Sequence, residues 1–135
     1  MESTTPPFSI LQVGQVWEIK IPYDDATKFE SRPAVVVAWS DFSPNQNWVI
    51  WFVPVTSHGS GGSLKSDEIS IKDHNSAGLT KSDSVIKARH VYSISPTFLR
   101  STGTYRGLIE AETLELVYRE IENVLTPKPM KTFPN

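Results

Sequence analysis

The stretch Ser31-Arg32-Pro33-Ala34-Val35-Val36-Val37-Ala38 decides the fold. Three consecutive valines are β-branched, and β-branching favours the pleated conformation over the helix. The run therefore reads as a buried strand. A proline deep inside a central strand would remove a ladder donor, so Pro33 places the strand's beginning close by. Arg32 then lies where a polar loop enters the core, a position at which functional side chains concentrate. The ordinary role for such an arginine is a solvated or salt-bridged one, with its alkyl stem along apolar surface.

On the N-terminal side, Gly14-Gln15-Val16-Trp17-Glu18-Ile19-Lys20-Ile21 sets Trp17, Ile19 and Ile21 opposite Val16, Glu18 and Lys20. That period of two marks a half-buried strand, and Pro22 ends it. A polar loop leads from there to Ser31. On the C-terminal side, Asp41-Phe42-Ser43-Pro44-Asn45-Gln46-Asn47 is dense in turn formers and closes a hairpin. Trp48-Val49-Ile50-Trp51-Phe52-Val53 is nearly all apolar and reads as a central strand buried on both faces. Pro54 interrupts it, leaving Val55-Thr56-Ser57 at its emerging end.

Farther along, residues 57–67 hold three glycines and four serines, a flexible loop. Glu68-Ile69-Ser70-Ile71-Lys72 alternates as a short strand, and residues 73–79 read as a turn or a single helical turn. Residues 84–94 give one further strand pattern, and Tyr105-Arg106-Gly107-Leu108-Ile109 a short last one. Only the end is helical: Leu114, Val117, Tyr118, Ile121, Val124 and Leu125 recur at three- and four-residue spacing. Acids in the first turn suit the positive end of the helix dipole, and Pro127 stops the helix. The whole reads as mostly β with α: a small, curled, mostly antiparallel barrel carrying a C-terminal amphipathic helix. Residues 1–11 form a loose lead-in, 12–126 the single domain, and 127–135 a Pro/Lys-rich tail.

A chain of 135 residues, 39% apolar and 21% charged, suffices for one hydrophobic core and has the composition of a soluble globular domain. The absence of cysteine excludes disulfides, thiolate metal sites and cysteine nucleophiles, and fits a reducing cytoplasm. The acidic, Pro-rich start, Met1-Glu2-Ser3-Thr4-Thr5-Pro6-Pro7, is unlike a signal peptide, and the apolar run of residues 48–55 is too short to span a membrane. The formal charge of −2 argues against a strongly basic nucleic-acid binder, yet it hides a division. Residues 81–106 carry Lys81, Lys87, Arg89, Arg100 and Arg106 against Asp83 alone, while residues 110–122 carry five acids against Arg119. A local basic surface can hold a phosphate chain despite an acidic total.

His58, His74 and His90 have no partners at ligand spacing, so no metal site is expected. Neither a phosphate-cradling glycine motif nor a nucleophile elbow is present. The informative arrangement is a pair of strand ends. If the strands of Arg32 and Thr56 pair as a hairpin, the start of one and the end of the other meet at the same end of the sheet. A guanidinium beside hydroxyl donors suits a phosphate or phosphorane, whose oxygens match bidentate hydrogen bonds. Turn capping is the ordinary alternative for Thr56 and Ser57.

Taken together, Gly14-Gln15-Val16-Trp17, Ser31 through Val37, Val53-Pro54-Val55-Thr56-Ser57, Ala77-Gly78-Leu79, Ser84-Val85-Ile86-Lys87 and Tyr105-Arg106-Gly107-Leu108 stand in the order seen in PemK/MazF-like toxins. The resemblance spans residues 13–125. The Arg-Pro-Ala-Val-Val and Val-Pro-Val-Thr-Ser blocks are the specific ones. It implies an SH3-like barrel, usually a homodimer, that cleaves single-stranded RNA such as mRNA without metal or other cofactor. It also implies a cognate antitoxin protein encoded beside the toxin. The family's catalytic arginine and threonine correspond to Arg32 and Thr56. By this likeness the RNA 2′-OH attacks its own phosphodiester, leaving a 2′,3′-cyclic phosphate and a 5′-OH. Arg32 stabilises the developing charge and Thr56 hydrogen-bonds the phosphate. Ser57, His58, Lys87 and Arg89 are the expected RNA contacts, and loops 23–30 and 57–67 the expected readers of base identity.

The sequence also departs from the family's pattern. Arg89 stands where some members carry an aspartate, and Ala26 where they carry a histidine. Proton transfer is therefore left without an assigned partner, with His58 and His90 as candidates. The alternative is a non-catalytic barrel that acts by binding protein, either as an inactive relative or as a gyrase poison.

Overall fold

A computed structural model of the chain describes residues 11–22, 29–40, 48–57 and 63–134. Among them run β1 (Gln15–Pro22), β2 (Phe29–Ser40), β3 (Val49–Ser57), β4 (Glu68–Ser70), β5 (Ser84–Lys87), β6 (Tyr92–Ile94), α1 (Pro96–Thr102), β7 (Thr104–Leu108) and α2 (Ala111–Leu125). The strands lie in the order β4-β5-β3-β2-β1-β7, with β6 also on β3, and every pairing is antiparallel. Among the described residues β4 and β7 do not pair, so the curled sheet stays open. The mostly β barrel-like architecture with a C-terminal helix is as the sequence reading has it.

Burial on both faces explains the three valines. Val35 and Val37 belong to one core cluster, with Val16, Val53, Val55, Ile86 and Val117. Ala34 and Val36 belong to the other, with Trp17, Ile19, Ile50, Phe52 and Leu99. Alternation along β2 and β3 feeds both clusters at once. Fully burying a side chain such as Phe52 contributes roughly 1.5–3 kcal/mol. Helix α2 buries Thr113 and Val117 and rests Leu114 and Ile121 on the first cluster. The Tyr118 hydroxyl donates to the Val37 carbonyl at 2.7 Å, fastening the helix to β2.

Four details differ from the sequence reading, each for a pairing reason. The strand expected to begin near Pro33 begins at Phe29, because β1 extends the ladder to Pro22↔Phe29. Residues 29–33 pair β1 but not β3, and a strand with one paired edge tolerates a proline. Pro54 does not interrupt β3 but lies within it, in the gap between the β6 pairs (Ile50 to Phe52) and the β5 pairs (Val55 to Ser57). The single strand expected over residues 84–94 is two. From Val55↔Ile86 to Phe52↔Tyr92 the chain advances three residues on β3 but six on its partner, and the surplus forms the turn between β5 and β6. Helix α1 has no counterpart in the sequence reading, although its start is marked. Ser95 accepts from the Phe98 N–H at 3.0 Å and Pro96 occupies the first turn.

Candidate active site

The site forms where two strands part. The β2–β3 ladder ends at Ala34↔Pro54. Beyond that pair β2 stays with β1, and β3 stays with β5 through Ser57↔Ser84. Continuing the lost register by two residues sets Arg32 opposite Thr56, on the same face. Pro33 pairs with Glu18 and cannot donate, so its nitrogen faces away from β1 and the fork lacks that ladder donor. A cleft of about 420 Å³ opens there, lined by Arg32, Thr56 and Ser57 together with Glu18, Glu30, Lys81 and Arg106.

Its charges are held in side-on pairs. Arg32 donates from Nε (3.0 Å) and Nη2 (2.7 Å) to Glu30 Oε1. Arg106 donates from Nε (3.0 Å) and Nη2 (2.7 Å) to Glu18 Oε1, while the Ser31 hydroxyl donates to Glu18 Oε2 at 3.2 Å. The Ser57 hydroxyl donates to Asp83 Oδ2 at 2.9 Å. These pairs are half open to solvent. Such exposed pairs contribute about 0–1 kcal/mol each, so an incoming phosphate can replace a carboxylate at little cost.

The far wall of the cleft rests on two glycines. Gly78 has φ +73°, and a Cβ there would stand 2.2 Å from the Arg106 carbonyl oxygen. A Cβ on Gly107 would stand 2.2 Å from the Ser76 carbonyl oxygen. Only glycine allows the turn of residues 73–79 and strand β7 to approach this closely, and the Leu108 N–H then donates to the Ser76 carbonyl at 3.1 Å. Asp73 accepts from the Ser76 hydroxyl (2.7 Å) and N–H (3.2 Å), which hold its carboxyl below the usual range and fix the turn. The Ala77-Gly78-Leu79 and Tyr105-Arg106-Gly107-Leu108 motifs are thus two halves of one contact, and it brings Lys81 and Arg106 to the cleft.

Other expected contacts lie elsewhere. Lys87 Nζ is 3.1 Å from Glu68 Oε2, and Arg89 pairs with Glu120 on α2. Neither lines the cleft. His90 faces Asp67 at 3.7 Å. His58, Ala26 and most of the two expected specificity loops fall outside the described residues. A larger groove of about 770 Å³ runs between β4 and α2, but Glu68, Glu120 and Glu122 line it beside Leu64 and Leu116. With Lys72 and Arg119 that groove holds three acids against two bases, whereas in the smaller cleft Arg32, Lys81 and Arg106 outnumber Glu18 and Glu30. The smaller cleft is therefore the better candidate for a phosphate chain. Glu18 and Glu30 have no site role in the sequence reading, and Lys81 and Arg106 enter it only as members of the basic segment of residues 81–106.

Residues 12–125 match the family of PemK-like, MazF-like toxins of type II toxin–antitoxin systems, and the chain belongs to that family. Two solved structures of the MazE–MazF complex from Deinococcus radiodurans share the fold. One superposes with a TM-score of 0.59 at 21% identity, covering 85% of this chain and 95% of that one. The other, a second crystal form, gives 0.60 at 18% identity, covering 88% and 98%. No curated protein matches the sequence. Among the described residues no helix is long and apolar enough to cross a membrane.

Proposed function

We propose that this toxin is an endoribonuclease that cleaves single-stranded RNA at the fork between β2 and β3, leaving a 2′,3′-cyclic phosphate and a 5′-OH without a metal cofactor. The observation that carries the reading is that Arg32 and Thr56 line one cleft with Ser57, Lys81 and Arg106, just beyond the Ala34↔Pro54 pair where β2 and β3 part. A scissile phosphate between the two strands meets a planar guanidinium on one wall and a hydroxyl on the other. Charge gathers on the non-bridging oxygens as the 2′-oxygen attacks, and donors fixed in advance stabilise that charge more than the ground state. Lys81 and Arg106 supply positive potential for the flanking phosphates.

Two protein partners belong to the same reading: an antitoxin and a second copy of the chain. Leu116, Val124 and Leu125 are exposed on α2 and give such a partner apolar surface to cover. The test is incubation of the purified protein with a long single-stranded RNA in EDTA. Cleavage that yields cyclic-phosphate ends, lost in Arg32→Ala, supports the nuclease. No cleavage of any RNA by a folded protein supports the non-catalytic alternative.

A further inference from the structure

We propose that Glu30 is the proton acceptor of the cleavage step, an inference that rests on the nuclease reading above. Transesterification requires a group that takes the 2′-OH proton. Arginine and lysine are protonated at neutral pH, and the serine and threonine hydroxyls of the cleft are far too weak as bases. Among the described residues lining the cleft, that leaves the carboxylates of Glu18 and Glu30; His74 and His90 do not line it.

Geometry separates the two. Strand residues two apart share a face, so Glu30 and Arg32 lie together on the face that Thr56 also presents. Glu18 pairs with Pro33 and so belongs to the opposite face. Glu30 receives the Arg32 fork on Oε1, within reach of the phosphate that Arg32 would hold. When the guanidinium turns to the phosphate, it leaves this carboxylate beside the attacking oxygen. Among the described residues, the charged groups that line the cleft with Glu30 are Arg32 on its own strand, Glu18 on β1, Lys81 before β5 and Arg106 on β7.

The step balances without an added reagent. The O2′–P bond forms as the 2′ proton passes to the Glu30 carboxylate. The P–O5′ bond breaks, and the departing O5′ takes a proton from water. The resulting hydroxide then takes the proton back from Glu30.

The test measures kcat and KM against pH, using an oligonucleotide that carries a site cleaved in the long RNA. Glu30→Gln keeps the size and hydrogen bonds of the side chain but cannot accept the proton. It lowers kcat by about 10²–10⁴-fold, the usual contribution of a general base. KM changes far less, and the acid limb of the kcat profile disappears. Glu18→Gln and His58→Gln retain that limb. A role confined to orienting Arg32 would lower the rate and leave the limb in place, which would overturn the proposal. A limb lost in Glu18→Gln or His58→Gln would do the same. Thermal melting of each variant separates unfolding from lost chemistry. Cleavage by the unmodified protein together with a fully active Glu30→Gln refutes Glu30 alone, whereas no cleavage by the unmodified protein refutes the nuclease reading and this inference with it.

Discussion

Two regions of the molecule hold basic residues against glutamates, and they do different things with them. At the fork, the Arg32–Glu30 and Arg106–Glu18 pairs border a cleft with hydroxyls between them. At the β4–β5 edge, Lys87–Glu68 joins strand to strand and Arg89–Glu120 joins the turn after β5 to α2. The side chain of Glu68 is only 5% exposed, so that pair is part of the packing. The same chemistry borders an open cleft where two strands separate and is a fastening where elements close on each other. Density of positive charge along the sequence does not distinguish the two; the course of the strands does.

Breaking this contrast begins with the largest effect. Arg32→Ala lowers RNA cleavage on the order of 10³-fold, and Thr56→Val about 10²-fold, as loss of transition-state donors does. Denaturation curves stay close to the parent's, because neither change opens a buried void. Equal rates in parent and variants would move the chemistry away from the fork. Gly107→Ala tests the wall behind it. Backbone atoms stand where the methyl would go, so unfolding in urea shows a loss of about 1–3 kcal/mol, and cleavage falls as Arg106 and Lys81 shift. Unaltered stability would mean that the turn and β7 separate freely.

The β4–β5 edge answers differently. Arg89→Gln, at an exposed pair, costs about 1 kcal/mol at most, and cleavage stays within a factor of about 5 of the parent. A larger loss of cleavage at unchanged stability would restore RNA contact to Arg89. The smallest effect on cleavage is at Tyr118, far from the fork, whose pKa burial raises above the ordinary 10.0. Because the folded state holds this proton more tightly, the stabilisation is complete below pH 10 and is lost as pH rises through the raised value. Tyr118→Phe removes about 1 kcal/mol below pH 10 and flattens the alkaline decline, measured by urea denaturation at stepped pH.

The parts legible in the sequence are those whose pattern is local. The valine run, the alternation of β1, the apolar β3 and the stripe of α2 each declare their element within a dozen residues. Two strands read as one at residues 84–94, because both pair with β3 and only the three surplus residues divide them. Pro33 and Pro54 looked like boundaries since a proline's tolerance depends on which edge is paired, and that is decided by distant strands. The arginine and threonine at the fork could be paired on the assumption of a hairpin. Lys81, Arg106 and Glu18 could not, because the contact that gathers them joins the turn of residues 73–79 to β7 through two glycines.

Among the described residues, the fork also leaves two stretches of backbone without a strand partner across the gap, one on β2 and one on β3. Such edges invite a passing strand to add itself, the route by which chains zip together into aggregates or exchange segments. Proline cannot donate, so both prolines sit in non-hydrogen-bonded pairs. Pro33, paired with Glu18, turns its nitrogen to the gap, while Pro54, paired with Ala34, turns its own toward β5 and β6. An inserted strand would find an incomplete ladder on the β2 wall. Pro33 thereby makes the gap a poor template for another polypeptide strand while leaving its side chains open.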